Sequence, residues 1–228
     1  MSWDSKIDYC GLADTGKLQI KASTMNRSGQ YLEKLGADGA IAATKSFGVQ
    51  DSPSCEYTVL SSFSLTGKKL GAVTEVDGKS YALQSIHYET ASGSEPKFSA
   101  NSVQVENGAT AVGKFDVPAL ELSPDEVAAI LLSAFTLTGT GCELTKCTAD
   151  VSCTVGTHKV NGVTVASGTH SAHVQISVTI GQYGDVEPTL TAADGWDVSS
   201  PLTCSDPDSD FPEWTATLSK PIAKATGS

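Results

Sequence analysis

Apolar and polar residues alternate along several segments of this chain, which is the pattern of a β-strand with one buried face. Residues 146–155 carry apolar side chains at every odd position and polar side chains at every even position. Residues 173–180 repeat the alternation with the opposite parity, and residues 17–22 show it more briefly. Residues 213–219 place Trp214, Ala216 and Leu218 on one face, and residues 56–65 predict a longer, more buried strand.

Short turn sequences separate these strands. Asp77-Gly78 lies between residues 73–76 and 80–88 and predicts a two-residue hairpin turn, because both turn positions need positive φ. Asn107-Gly108 predicts a second turn, between residues 98–106 and 112–117. Residues 156–172 contain Asn161-Gly162 and predict either an extended hairpin arm or a long loop.

One segment has the signals of a helix. Ser123, Pro124 and Glu126 form a capping sequence that precedes a run of apolar residues, and they predict a helix over about residues 123–135. A weaker helical pattern covers residues 28–35. The pattern as a whole predicts a mainly β protein with one helix. We expect a single domain over residues 1–228. If the chain has two domains, the boundary between them lies within residues 107–122.

The charge distribution disfavours direct binding to nucleic acid. The formal net charge is −11, and residues 119–228 contribute −9 of it. Arg27 is the only arginine, so bidentate clamps on phosphate groups are almost excluded. The first five residues do not resemble a signal peptide, and the longest apolar run, residues 127–135, is too short to cross a membrane. We therefore expect a protein that is made in the cytoplasm and has no route out by the usual secretion path, with no membrane anchor or membrane partner.

The reactive residue types do not form a known catalytic or metal-binding motif. The six cysteines lack a C-x-x-C pair, and the missing signal peptide favours free, mostly buried thiols over disulfides. Residues 206–210 resemble the start of a calcium loop, but Phe211 and Thr217 stand where that motif requires Gly and Glu. A nucleophile elbow and a glycine-rich phosphate loop are also missing. We expect no enzymatic activity, no cofactor and no metal.

An interaction surface is the remaining possibility. The polar faces of residues 146–154 and 173–179 are rich in Ser and Thr and suit pairing with another surface. Segment 156–172 is long enough to reach a neighbouring molecule. The candidate interaction residues are Asn161, Gly162, His170 and His173. His170 and His173 lie three positions apart near a strand start, which predicts that they point to opposite faces.

The order of these elements resembles that of tailed-bacteriophage major tail tube proteins. The residues that carry the resemblance are the stretch Ser80–Glu106 with residues 91–96 at its centre, the helix from Ser123, the stretch Cys147–Ile180 and the closing strand Trp214–Lys220. The likeness covers about residues 56–220. It implies an antiparallel β-sandwich or barrel with one flanking helix, and subunits that form hexameric rings.

The resemblance also implies a function. The rings stack into a tube through inter-ring loops, beside other virion tail proteins, and DNA passes through without tight binding. Localisation would be the virion, assembled in the host cytoplasm. Two other classes stay open: another virion component, such as a decoration or connector protein, and a bacterial β-sandwich module that binds carbohydrate or protein. Self-assembly favours the virion classes, whereas exposed aromatic residues favour the binding module.

Overall fold

The computed structural model describes residues 6–37, 40–105, 115–118, 120–122, 134–160 and 163–223. Within these residues the chain forms β-strands and no helix, which confirms the mainly β prediction. The strands are β1 (Leu18–Leu35), β2 (Ile41–Val59), β3 (Phe63–Ser64), β4 (Lys69–Leu70), β5 (Val73–Val76), β6 (Lys79–Ala91), β7 (Lys97–Val105), β8 (Phe115–Asp116), β9 (Glu121–Leu122), β10 (Phe135–Thr138), β11 (Cys142–Val160), β12 (Val163–Gln182), β13 (Thr189–Ala192), β14 (Asp197–Cys204) and β15 (Glu213–Pro221).

A nine-stranded antiparallel sheet organises the molecule. Its strand order is β1-β2-β7-β6-β11-β12-β15-β14, and β5 pairs with the start of β6. Three two-stranded sheets accompany it, formed by β3 with β9, β4 with β8, and β10 with β13. The β5–β6 turn is confirmed: Asp77 and Gly78 have φ of 50° and 72°, as the two-residue turn requires.

One face of the large sheet is the wall of the core. Cys147, Ala149 and Val151 of β11 are buried, as are Val174 to Ile180 at alternate positions of β12. They share one apolar cluster with residues of the small sheets, such as Leu70 and Leu122. The alternation read from the sequence therefore marks the buried face correctly.

Two hairpins extend beyond the sheet, and both leave it at the same end. One row of paired residues crosses the sheet through Ser54, Asn101, Ser85, Ser152, His173 and Pro221. Strands β1 and β7 are both antiparallel to β2, and β7 and β11 are both antiparallel to β6. The strands β1, β7 and β11 therefore run in the same direction. Arm A is the part of β1 and β2 past this row, residues 25–35 and 41–53. Arm B is the corresponding part of β11 and β12 together with their pair in this row, residues 152–160 and 163–173.

Several predictions need correction. Residues 28–35 are not helical but belong to β1, because pairing with β2 outweighs their local helix propensity. The strand proposed over residues 56–65 ends at Val59, and Phe63 begins a separate strand. In segment 156–172 the hairpin alternative is confirmed and the loop is wrong, since Gly156 pairs with Gly168 and Val160 with Val163.

The helix prediction over residues 123–135 falls mostly outside the described residues. Residues 123–133 are not described, and at its C-terminal limit Phe135 starts β10 and pairs with Ala192. Phe135 is therefore part of a strand, since its backbone bonds to β13 rather than to the preceding turn. The possible boundary at 107–122 and the turn at Asn107-Gly108 also lie largely outside the described residues, and both stay predictions.

Candidate assembly surfaces

The second face of the large sheet is polar and open to solvent. Its side chains are half-buried or exposed across five neighbouring strands, with no element packed over them in the described part of the chain. They are Lys97, Ser99 and Asn101 of β7, Ser85, His87 and Glu89 of β6, Lys146, Thr148, Asp150 and Ser152 of β11, His173, Gln175, Ser177 and Thr179 of β12, and Thr215, Thr217 and Ser219 of β15. We call this set the open face.

The charges of the open face are paired with one another. Glu89 accepts hydrogen bonds from Lys97 at 2.7 Å and Lys146 at 2.9 Å, and these contacts lower its pKa to about 2. His87 Nδ1 lies 2.7 Å from Asp150, and this hydrogen bond raises the pKa of His87. Cations and carboxylates balance on this surface, so the acidic excess of the chain lies elsewhere.

A buried carboxylate fixes the base of arm A. Asp51 is 2% exposed and accepts hydrogen bonds from Arg27 at 2.6 Å and from Lys79 at 2.8 Å. Arg27 belongs to β1 and Lys79 to β6, so Asp51 ties both strands of the arm to the sheet. The hydrogen bond from Arg27 is the main cause of the low pKa of Asp51, about 2. The single arginine of the chain thus has a structural role.

The tip of arm A exposes large apolar side chains. Leu32, Leu35 and Ile41 are 59%, 60% and 55% exposed. Leu35 pairs directly with Ile41 across the hairpin. Solvent-exposed leucine and isoleucine side chains grouped at the end of a projecting hairpin are typical of a protein interface.

Arm B contains two of the predicted interaction residues, His170 and His173. The other two, Asn161 and Gly162, lie outside the described residues. His170 and His173 are exposed, and the prediction that they point to opposite faces is wrong. They pair with Thr154 and Ser152, which lie two apart on β11 and share a face.

A β-bulge explains the orientation of the two histidines. Four residues of β12 oppose three residues of β11 between these pairs, and Ser171 has a φ of 55°. His173 Nε2 lies 3.3 Å from Ser152 Oγ, and His170 Nδ1 lies 3.0 Å from Ser171 Oγ. The bulge carries no signal in the local sequence, because serine is not a typical residue for positive φ.

Sequence reasoning missed a cavity at the other end of the β1–β2 hairpin. Its volume is about 470 Å³, and its lining includes Lys6, Asp14, Leu18, Gln19, Ile20 and Leu60. The rim is held by hydrogen bonds, from the Leu60 amide to the Lys17 carbonyl at 2.8 Å and from Ser61 Oγ to the Gly16 carbonyl at 3.3 Å. We call it the foot cavity, because it lies where β1 begins and β2 ends.

The same end of the sheet also exposes an aromatic pair. Tyr183 follows β12 and Phe211 precedes β15, and their ring centres are 6.2 Å apart. They are 55% and 66% exposed. Acidic residues surround them in sequence: residues 183–213 contain eight Asp and Glu and no Lys or Arg. Much of the negative charge of the second half of the chain is therefore in this stretch.

The cysteines are free thiols, as the sequence favoured. Burial raises the pKa of Cys147 to about 12 and of Cys153 to about 11. A hydrogen bond with Cys55, together with burial, raises the pKa of Cys10. Protonated thiols are poor nucleophiles and poor metal ligands, so Cys10, Cys147 and Cys153 act as core side chains.

The described residues contain no group of three or more His, Cys, Asp or Glu side chains that could hold a metal ion. Within the same ranges, no helix has the length and apolar character needed to cross a membrane. No family model matches the chain, and no curated protein is significantly similar to it.

Proposed function

We propose that this protein is a structural subunit that assembles into stacked hexameric rings, and that the rings form the tail tube of a bacteriophage. Two features of the large sheet carry the proposal. One face of the sheet is polar and open, and two arms extend from the same end of the sheet. In a tube, this face would line the channel, and the flanking sheets would give a sandwich-like wall.

The chemistry of the open face supports a channel for DNA. Ser and Thr side chains dominate it, and its two lysines are each within hydrogen-bond distance of Glu89. Strong binding of DNA needs several lysine or arginine contacts to phosphate, which release counterions. A surface with paired charges lets a polyanion pass without holding it.

The arms support repeated association. A soluble monomer gains nothing from exposing Leu32, Leu35 and Ile41 at the end of a hairpin about 35 Å long. Covering these side chains with another molecule would remove apolar area from water and stabilise the assembly. Virion localisation, assembly in the host cytoplasm and contacts with other tail proteins follow from the same proposal.

One observation favours a second candidate function. The exposed pair Tyr183 and Phe211 is a surface of the kind that stacks on sugar rings, so a carbohydrate-binding module is the alternative. A glycan array with the wild-type protein and with Phe211→Ala tests it. Glycan binding by the wild-type protein that is lost in Phe211→Ala would support the carbohydrate-binding module. A decoration or connector protein would show neither glycan binding nor tubes.

Negative-stain electron microscopy combined with light scattering tests the main proposal. We expect rings or hollow tubes in purified protein at micromolar concentration, with a mass that is a multiple of six subunits. A monomer over the whole concentration range, alone and with fragments of assembled tube added as seeds, would contradict it.

A further inference from the structure

We propose that Cys10 and Cys55 form a redox-sensitive crosslink site, at which a small disulfide converts two buried thiols into a disulfide bond within the chain. Cys55 lies on β2, whereas Cys10 lies before β1 and outside any strand. The bond would attach the segment before β1, residues 6–13, covalently to the large sheet. The inference goes beyond the proposed function and does not depend on it.

The segment before β1 crosses the buried face of β2 and β7. The carbonyl of Ile7 accepts a hydrogen bond from Cys55 Sγ at 3.6 Å, and Cys10 Sγ accepts one from Ser102 Oγ at 3.2 Å. Cys55 pairs with Ala100 of β7, and Ser102 lies two residues further along β7 on the same buried face. The two thiols therefore lie over neighbouring positions of one face.

The two sulfur atoms are in hydrogen-bond contact with each other. This bond lowers the pKa of the Cys55 thiol and, together with burial, raises the pKa of Cys10, so the Cys10 thiol is the donor. Cys55 is therefore the thiol that reaches the nucleophilic thiolate form more readily. A disulfide holds its sulfurs about 2.05 Å apart, so two thiols already in contact need only a small approach.

The backbone around Cys10 is held over the sheet without being part of it. The carboxylate of Asp8 accepts hydrogen bonds from Tyr57 Oη at 2.7 Å, from the Cys10 amide at 3.1 Å and from the Gly11 amide at 2.8 Å. Because Cys10 belongs to no strand, its side chain can turn towards Cys55 without breaking a hydrogen bond of the sheet.

The other four cysteines, all within the described residues, are placed differently. Cys147 and Cys153 lie six positions apart on β11, roughly 20 Å along a strand, so they cannot bond to each other. Cys142 and Cys204 are half-buried, and an external disulfide reaches them more easily than it reaches the buried pair. These two thiols serve as internal references for accessibility.

The reaction is a thiol–disulfide exchange in two steps. The Cys55 thiolate attacks one sulfur of a small disulfide, which leaves a mixed disulfide on Cys55 and releases one small thiol. Cys10 then gives up its proton to water and attacks the Cys55 sulfur, which releases the second small thiol. The two cysteines lose two electrons and two protons, and the small disulfide takes them up. Because Cys55 is fully buried, the first step in the folded protein requires opening of residues 6–13.

The crosslink would act on the whole β1–β2 hairpin. It would close a loop over residues 10–55, which contains β1 and all of arm A. A bond across a loop of this length restricts the unfolded chain and so stabilises the folded one. In the cytoplasm, reduced glutathione keeps such a pair as thiols, and the bond forms where the protein meets an oxidising environment.

The test maps the cysteines of the full-length chain after refolding. The wild-type protein, Cys10→Ala and the matched control Cys204→Ala are unfolded in urea and refolded in a mixture of reduced and oxidised glutathione. Refolding exposes every thiol to the oxidant, so burial cannot prevent the reaction. Remaining free thiols are blocked with N-ethylmaleimide, and mass spectrometry of a proteolytic digest identifies linked peptides.

We expect a peptide linked through Cys10 and Cys55 in the wild-type protein and in Cys204→Ala, and none in Cys10→Ala. Oxidation should raise the melting temperature of the wild-type protein by roughly 5–15 °C, and dithiothreitol should reverse the rise. Hydrogen exchange at the amides of Cys10 and Gly11 should slow in the oxidised form. The wild-type peptide map decides the case even if Cys10→Ala does not fold.

Three results would overturn the inference. The first is a refolded wild-type protein in which Cys10 and Cys55 are both blocked by maleimide. The second is a map in which either cysteine is joined to glutathione or to another cysteine. The third is a linked peptide without any rise in melting temperature. None of these results depends on whether rings or tubes form, because every readout is made on the single chain.

Discussion

Arm A and arm B extend from the same end of the sheet, but they differ in how their bases are anchored and in which side chains they expose. Arm A depends on the buried carboxylate of Asp51 at its base and ends in exposed apolar residues. Arm B continues the apolar core through Cys153 and Ala172, and it exposes His170 and His173. A projecting hairpin can therefore be anchored by an ion pair or by core packing. The ion-paired arm is the one that exposes large apolar side chains at its end.

The largest expected effect comes from removing the clamp of arm A. We expect Asp51→Ala to lower the free energy of unfolding by about 2–3 kcal/mol, because two charge-assisted hydrogen bonds to a buried carboxylate are lost. The loss should stay below that of a stranded buried charge, since Arg27 and Lys79 remain in contact with water. Urea denaturation measures the change.

Asp150→Ala is the matched control on the open face. Asp150 pairs with His87 but is half-exposed, so its loss should cost less than about 1 kcal/mol. Hydrogen exchange should also accelerate along arm A in Asp51→Ala and remain unchanged in arm B. Equal destabilisation by the two substitutions would contradict the distinction between the two sites.

Lowering the pH should reduce the free energy of unfolding by a somewhat smaller amount. The folded protein holds the pKa of Asp51 near 2, below the ordinary value of 3.8, so its contribution is complete above about pH 4. That contribution is lost as the pH falls towards 2, because the unfolded chain takes up the proton first, and it amounts to about 2 kcal/mol.

Asp51→Asn should flatten the loss of stability between pH 4 and pH 2. Glu89 has a similarly low pKa, so part of the acid dependence should remain in this variant and disappear only when Glu89→Gln is added. Urea denaturation at several pH values measures both changes. A stability curve for Asp51→Asn that keeps the wild-type slope would contradict the role of the clamp.

The sequence pattern predicted the strands that have one buried face. It failed where pairing with a strand distant in sequence determines the secondary structure. Residues 146–155 and 173–180 alternate cleanly because their alternate side chains enter one core. Residues 28–35 of arm A were mistaken for a helix. Their described side chains are exposed on both faces of the strand, so no alternation is required there. The clamp of Asp51 joins residues 24 and 28 positions apart, and no local pattern indicates such a contact.

The next largest effect on stability is expected from substitutions in the β-bulge of arm B. Ser171 has a positive φ, which costs a β-branched residue about 1–2 kcal/mol. We expect Ser171→Val to destabilise the protein by about 1 kcal/mol and Ser171→Gly to be neutral or stabilising. Thermal unfolding of both variants measures the difference. A Val variant as stable as the Gly variant would show that the bulge is not fixed by this backbone conformation.

The smallest effect on stability is expected from the histidines of arm B. His170 and His173 are exposed, and each is within hydrogen-bond distance of a serine hydroxyl, so changing both to Ser should alter the free energy of unfolding by less than about 0.5 kcal/mol. If they contact a neighbouring copy, the loss of a polar contact worth about 0.5–1 kcal/mol should raise the concentration needed for assembly about threefold. The variant that combines Leu35→Asp with Ile41→Asp at the tip of arm A should raise it more. Light scattering of both variants across one concentration series makes the comparison, and a larger effect in arm B would show that the core-anchored arm makes the principal contact.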